Sequence, residues 1–173
     1  VVISSTLQDD SWAAKYAGTT APVINLDGSV QDALGFIGSR EVSGSVSSAT
    51  QVAIVDAGHP LAGDLSAGAQ TVLSAAGTLS WGTPNAAAAV VATAGTASHQ
   101  AAVYGYEAGS SMAGGIDAAA RRVNLPFQTS DLGSLTDAGG ALLVAAVDWV
   151  SSFSIVDTGG DLSATVGDSI VLD

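Results

Sequence analysis

Residues 1–26 read VVISSTLQDDSWAAKYAGTTAPVINL. VVISST (1–6) is an apolar run that ends in small polar residues, the pattern of a buried strand meeting a loop. DDSWAAKYA (9–17) accommodates one or two helical turns, with Asp9 or Asp10 as the cap. Pro22 then leads into VINL (23–26), a second apolar strand. Short, fully apolar strands that alternate with helical segments indicate an α/β sheet covered by helices.

The rest of the chain extends this pattern. QDALGF (31–36) reads as a short helix stopped by Gly35, and SREVSGSVSSAT (39–50) as a loop or an edge strand. TQVAIVD (50–56), QTVLS (70–74) and TLSWG (78–82) carry strand character. AAAAVVATA (86–94) has helix-favouring alanine, but it lies between Pro84-Asn85 and Gly95 and ends in Val-Val-Ala-Thr, which predicts a strand. QAAVYGYEAG (100–109) and ARRVNLPF (120–127) flank a glycine-rich turn at 109–115, which predicts a β-hairpin. TDAGGALLVAAVDWV (136–150) is the clearest helix, with Thr136 as its cap and Asp137 suited to its positive N-terminus. Its predicted core stripe is Leu143, Val147 and Val150, with Leu142, Ala146 and Trp149 beside it. The later strands have a more antiparallel character. From Ser154 the chain alternates Val, Leu and Ile with Asp, Gly and Ser, as two short β segments too small to fold alone. The expected division is therefore an α/β module over 1–151 and a β extension over 152–173.

Composition bounds the functional classes. The 173 residues carry 16 acidic and 4 basic side chains, a formal net charge of −12. Such a surface repels phosphate backbones and anionic headgroups, which disfavours nucleic acid and membrane surfaces as partners. Abundant Asp with a single lysine, Lys15, fits either a saline habitat or an ordinary acidic secreted protein. Cysteine is absent, which removes disulfides, thiolate metal sites and cysteine nucleophiles together. No apolar run is long enough to span a bilayer, and no signal peptide is visible. The opening directly on a strand suggests a processed or partial polypeptide.

Several segments in order carry a resemblance: VVISST, APVINLD, AGHPLAGDLSAG, TLSWGTPNAAAAVVATA, AVYGYEAG, ARRVNLPF and the helix ending AVDWV. Residues 1–151 resemble the class I glutamine-amidotransferase-like superfamily, in particular its trehalose-utilisation type branch. The resemblance implies a flavodoxin-like three-layer sheet with a partly antiparallel C-terminal half. It also implies a sheet incomplete at the N-terminus, because the strand, helix and strand that precede VVISST in the family have no counterpart here. The amidotransferase cysteine has no counterpart either, so that chemistry does not carry over. VDTGGDLSATVGDSIVLD (156–173) resembles the opening strands of an immunoglobulin-like or PKD-type module.

Individual residues give few grounds for catalysis. His59 and His99 are the only histidines, no Gly-x-Ser-x-Gly motif is present, and nothing in the sequence pairs either histidine with a serine. In AGHPLAGDLSAG (57–68), Pro60 holds His59 extended and the glycines permit a corner, where the imidazole can bond to backbone. Asp9 and Asp10 lie near the C-terminal end of the first strand, the edge where α/β sheets bind ligands, although helix capping is their simpler role. Arg121 and Arg122 suit a carboxylate clamp or, on so acidic a chain, an ion pair with Glu107 or a nearby Asp. Trp81, in Ser-Trp-Gly-Thr-Pro, is the aromatic nominated for a glycan contact. Asp157, Asp161 and Asp168 match no compact Ca²⁺ loop.

The expectation is a non-catalytic structural or assembly module of a larger bacterial or archaeal protein, extracellular or at the cell surface, in a surface layer, adhesin or filament. Its partners would be copies of itself or neighbouring domains, with no cofactor, metal or catalytic residue. The alternative is a carbohydrate-binding or carbohydrate-processing module, with Trp81, His59 and Asp9 lining a cleft at the strand C-termini.

Overall fold

A computed structural model describes residues 1–7, 9–95 and 97–152. The 152–173 extension and its immunoglobulin-like reading lie, but for Ser152, outside the described residues.

The chain is a mixed α/β fold. In order it forms β1 (Val2–Ile3), α1 (Asp10–Ala17), β2 (Val23–Asn25), β3 (Ser43–Ala49), β4 (Gln51–Ile54), β5 (Gly68–Thr71), β6 (Gly77–Gly82), β7 (Ala89–Thr93), β8 (Ala101–Tyr106), β9 (Arg122–Asn124) and α2 (Asp137–Ser151). Among the described residues these strands make one nine-stranded mixed sheet, in the order β1-β2-β9-β8-β7-β4-β5. β1, β2 and β9 run parallel, and β8, β7, β4 and β5 continue the sheet antiparallel. β3 and β6 form an antiparallel ribbon that joins the sheet only where Gly82 meets Ala101. The parallel pair β1–β2 is bridged by α1, because a parallel connection needs a crossover. Among the described residues no helix is long and apolar enough to cross a membrane.

β2 shows how the core is divided. Val23 packs with Ile3, Ala13 of α1, Tyr104 and Tyr106, whereas Ile24 packs with Val123, Leu142, Ala146 and Trp149 of α2. Successive side chains of a strand point to opposite faces, so the two clusters lie on opposite sides of β2. Arg121 and Arg122 repeat this alternation. Arg121 donates to the carbonyls of Trp149 and Ser152, both at 2.7 Å, at the C-terminal end of α2. Arg122, 1% exposed, donates to the carbonyls of Tyr16, Ala17 and Thr19 at the C-terminal end of α1.

Most local expectations match the structure. Asp9 caps α1 by accepting from the Ser11 and Trp12 amides, and Thr136 caps α2 by accepting from the Gly139 amide. The alanine-rich 86–94 segment contains strand β7, and 39–50 contains edge strand β3. β8 and β9 pair antiparallel, with a Ser111–Asp117 bridge inside their connection. Two expectations are corrected. Residues 31–36 form successive turns after a 3-10 turn at Gly28–Val30, not a helix, and Gly35 at φ +82° reverses the chain there. The buried face of α2 is Gly139, Leu142, Ala145, Ala146, Trp149 and Val150, while Val147 is 44% exposed. The face is rotated because Gly139 lies against the Val72 carbonyl, which brings that side of the helix onto the sheet.

Neighbouring glycines of α2 give a direct test of this rotation. A Cβ at Gly139 would collide with the Val72 carbonyl, whereas one at Gly140 meets nothing within 4 Å. Gly139→Ala is expected to lower the unfolding free energy by about 2 kcal/mol through overpacking. Gly140→Ala is expected to raise it by about 0.5–1 kcal/mol through helix propensity. Urea unfolding of the two variants reads both signs. In the same assay Arg122→Met is expected to cost about 3 kcal/mol, because the helix-end carbonyls lose a charged donor.

Candidate functional site

The three parallel strands end on one side of the sheet, and the loops that follow them converge there. After β1, Ser4 and Ser5 engage the segment after β9: Ser4 Oγ lies 2.9 Å from Thr129 Oγ1, and the Thr129 amide donates to Ser5 Oγ at 2.8 Å. After β2, the Asp27 carboxylate accepts from the Ser29 amide at 2.9 Å and the Ser29 hydroxyl at 2.6 Å. The β3–β6 ribbon closes the side, because the Ser80 amide and hydroxyl both donate to the Pro126 carbonyl, at 3.0 and 3.2 Å. Between these parts lies a crevice of about 350 Å³, bordered by Ser5, Asp27, Ser29, Ser45, Ser80 and Gln128 among others.

A buried polar network lies around this end of the strands. Asn25 Nδ2 donates to Asn124 Oδ1 and to the Asp27 carbonyl, both at 2.9 Å, and Asn124 Nδ2 donates to the Ala102 carbonyl at 3.2 Å. The Tyr104 hydroxyl donates to Gln31 Oε1 at 2.6 Å. Complete burial pushes the Tyr104 phenol well above its ordinary pKa of 10.0 and keeps it a neutral donor. Gly28 permits the close approach of its loop, since a Cβ there would lie 2.5 Å from Ser80 Cβ.

Of the residues singled out in the sequence, Asp9, His59, Trp81, Arg121 and Arg122 do not border this crevice. No protein-family model, curated protein or solved structure matches the chain.

His59 stands at the predicted corner. Its Nδ1 accepts from the Leu61 amide at 3.1 Å, so the imidazole caps the 3-10 turn Pro60–Ala62. Leu61 and Ala62 are buried, and Gly63, at φ +60°, leaves room for the Ala141 carbonyl of α2, 2.7 Å from where a Cβ would stand. The ring centroids of His59 and Trp149 are 5.7 Å apart. These two residues line a groove of about 620 Å³ with Glu107, Arg121, Asp148 and Asp64. In that groove Arg121 Nε donates to Glu107 at 2.7 Å, as the ion-pair reading expects. Among the described residues Arg122 finds no such carboxylate; its partners there are the backbone carbonyls at the end of α1.

Asp9 and Trp81 are elsewhere. Asp9 borders a third hollow, of about 510 Å³, with Val2, Leu7 and Trp12. The Ser11 hydroxyl, then the Trp12 amide, hold the Asp9 carboxyl below its usual pKa, as suits a cap. Trp81 lies over Gly44 of the neighbouring strand, where a Cβ would meet its ring at 2.6 Å, and edge-to-face with His99 at 5.9 Å. Asp9, His59 and Trp81 thus do not share one of these three hollows. The exposed indole is Trp12, 51% accessible, with Lys15 Nζ 3.6 Å from its ring centroid. The sequence signal for it was a tryptophan and a lysine three residues apart on a short helix. Among the described residues no cluster of His, Asp and Glu is arranged to hold a metal ion.

His59 makes the corner sensitive to pH. Burial lowers its pKa from 6.5, a pull reinforced by Arg121 and opposed by Asp56 and Glu107. A histidine depressed in the fold favours the neutral form, so its contribution is complete above the unfolded value and is lost as pH falls through the folded one. Thermal unfolding is expected to show stability rising from about pH 5 to 7. His59→Asn, which keeps a capping acceptor but does not titrate, is expected to show a shallower rise than the parent.

Proposed function

We propose that the chain is a non-catalytic structural or assembly module of a larger secreted or cell-surface protein, built on a flavodoxin-like three-layer sheet. The observation that carries this reading is edge strand β1. The Val1 and Ile3 carbonyls accept from Ile24 and Leu26 of the β2 segment, both at 2.9 Å. By the alternation of a strand, the Val2 backbone groups point to the open side. Val2 is 61% exposed and sits beside Trp12 in the hollow next to α1. Among the described residues β1 pairs with β2 alone, and β5 at the far end of the sheet pairs with β4 alone. An edge of this kind is a template for another strand.

The occupant that fits is a second copy of the chain or the equivalent module beside it. Two different open edges at opposite ends of one sheet make a head-to-tail contact that repeats, which generates rings or filaments. The residues with chemical capacity support the non-catalytic half of the reading. His59 Nδ1, Arg121 and Arg122 are each engaged in holding backbone. The formal charge of −12 opposes association of copies at low ionic strength, and salt relieves it.

Light scattering and electron microscopy across a salt series test the proposal. Ordered polymers are expected to form as salt rises, and Val2→Lys, a charge on the open edge, is expected to abolish them. Because Val2 is exposed, the variant should unfold within about 0.5 kcal/mol of the parent. A parent chain that stays monomeric at every salt concentration, or polymers that Val2→Lys leaves unchanged, would overturn the reading.

A further inference from the structure

We infer that the crevice at the carboxyl ends of β1, β2 and β9 is a binding site for a neutral polyhydroxylated ligand, a mono- or disaccharide. This goes beyond the assembly reading and is independent of it, since no residue that borders the crevice also borders the hollow beside β1.

Position favours such a site. In open α/β sheets the strand ends and their loops leave a crevice where backbone groups and loop side chains converge on a ligand. Here the loops after all three parallel strands contribute, through Ser5, Asp27 with Ser29, and Gln128. A second element, the β3–β6 ribbon, supplies the facing wall through Ser45 and Ser80.

The lining chemistry matches a sugar. It is hydroxyl, carboxylate and amide, with the Arg40 guanidinium, groups that together donate hydrogen bonds to sugar hydroxyls and accept from them. Two of the lining side chains, Asp27 and Ser80, are only 3% and 6% exposed, so they are held in place by the fold. The Ser29 amide and hydroxyl fix the Asp27 carboxylate, and the Pro126 carbonyl fixes the Ser80 hydroxyl. Behind them the Asn25–Asn124 pair and the Tyr104–Gln31 pair brace the loops. Buried polar groups are costly unless fully paired, and a rigid supporting shell is what a recognition site needs.

Electrostatics select against charged ligands. Arg40, the cation in the lining, lies 2.5 Å from Asp10 and 3.6 Å from Asp32, which compensate its charge. On a chain of formal charge −12, a phosphate or sulfate would be repelled. The volume of about 350 Å³ lies at the lower end of ligand pockets. That suits a small sugar rather than a long chain.

The test is amide NMR on the intact chain, titrated with glucose, maltose and N-acetylglucosamine, with sulfate as the charged probe. At least one sugar is expected to give saturable shifts at Gly28, Ser29, Ser45 and Ser80, with a Kd on the order of 1 mM. Ser45→Leu places a bulky side chain at an exposed position on the crevice wall. It is expected to weaken binding at least about tenfold, or 1.4 kcal/mol, while the rest of the spectrum stays unchanged. The inference is overturned if no sugar shifts these amides, if Ser45→Leu binds as tightly as the parent, or if sulfate binds in their place. Shifts confined to residues around Trp12 or Trp81 also overturn it, because they place the sugar on an aromatic surface outside the crevice.

Discussion

Two adjacent arginines hold both helices to one strand. Arg121 reaches the end of α2 and Arg122 the end of α1, from consecutive positions at the start of β9. A helix C-terminus presents unpaired carbonyls and a partial negative charge, and a guanidinium answers both. The two sites are nonetheless different. Arg121 shares its charge with exposed Glu107, whereas Arg122 is buried among carbonyls, with Nε unpartnered among the described residues. Burial pulls the Arg122 pKa down, yet a guanidinium stays charged in proteins. Among the described residues its charge is therefore balanced by peptide carbonyls rather than by an acid. Half of the chain's basic residues are used in this way, which sets the position of α1 and α2 relative to β9.

What could be read in the sequence follows from whether the signal was local. Thr136 was legible as a cap, and the cap of α1 as Asp9 or its neighbour Asp10, because capping is decided within three residues. β7 was legible through its flanking Pro84-Asn85 and Gly95, despite an alanine content that favours helix. The rotation of α2 was not, because the apolar pattern around Leu142–Val150 is broad. What selects one face is the approach of Gly139 to Val72, a contact between residues far apart in sequence. Residues 31–36 carry a helix-like composition, but their turns are set by Tyr104 gripping Gln31 and by the reversal at Gly35. Gly35 was legible as a stop, but the Tyr104–Gln31 bond joins residues far apart in sequence and is not visible from spacing.

The candidate site was less legible than the fold for a related reason. The alternative reading of the sequence placed Trp81, His59 and Asp9 in one cleft, on conspicuous residue types, whereas its simpler readings made His59 a corner bonded to backbone and Asp9 a helix cap. Each of these side chains serves its own neighbourhood instead. Trp81 fills the space over Gly44, His59 caps Pro60–Ala62, and Asp9 caps α1. The crevice at the strand ends is built from serines, an aspartate and a glutamine drawn from residues 5 to 128. Serine is common across this chain, so no spacing marks those that converge. The parallel arrangement of β1, β2 and β9, closed by the β3–β6 ribbon, brings them together.

The same topology explains why an edge and a crevice coexist in so small a sheet. Parallel strands need crossovers, and each crossover releases its chain at a strand's carboxyl end, which concentrates loops there. β1 begins such a crossover from the margin of the sheet, so one side of it pairs with β2 and the other carries Val2 to the surface. A hydrophobic edge is ordinarily blunted by charge or by a bulge. Here Asp9, which borders the hollow beside β1, is engaged in capping, and Lys15 covers Trp12. In the proposed assembly the guard of this edge would be the repulsion between whole molecules, a long-range term that salt screens. On that proposal, ionic strength would be the variable that governs pairing at β1 without altering any contact inside the sheet.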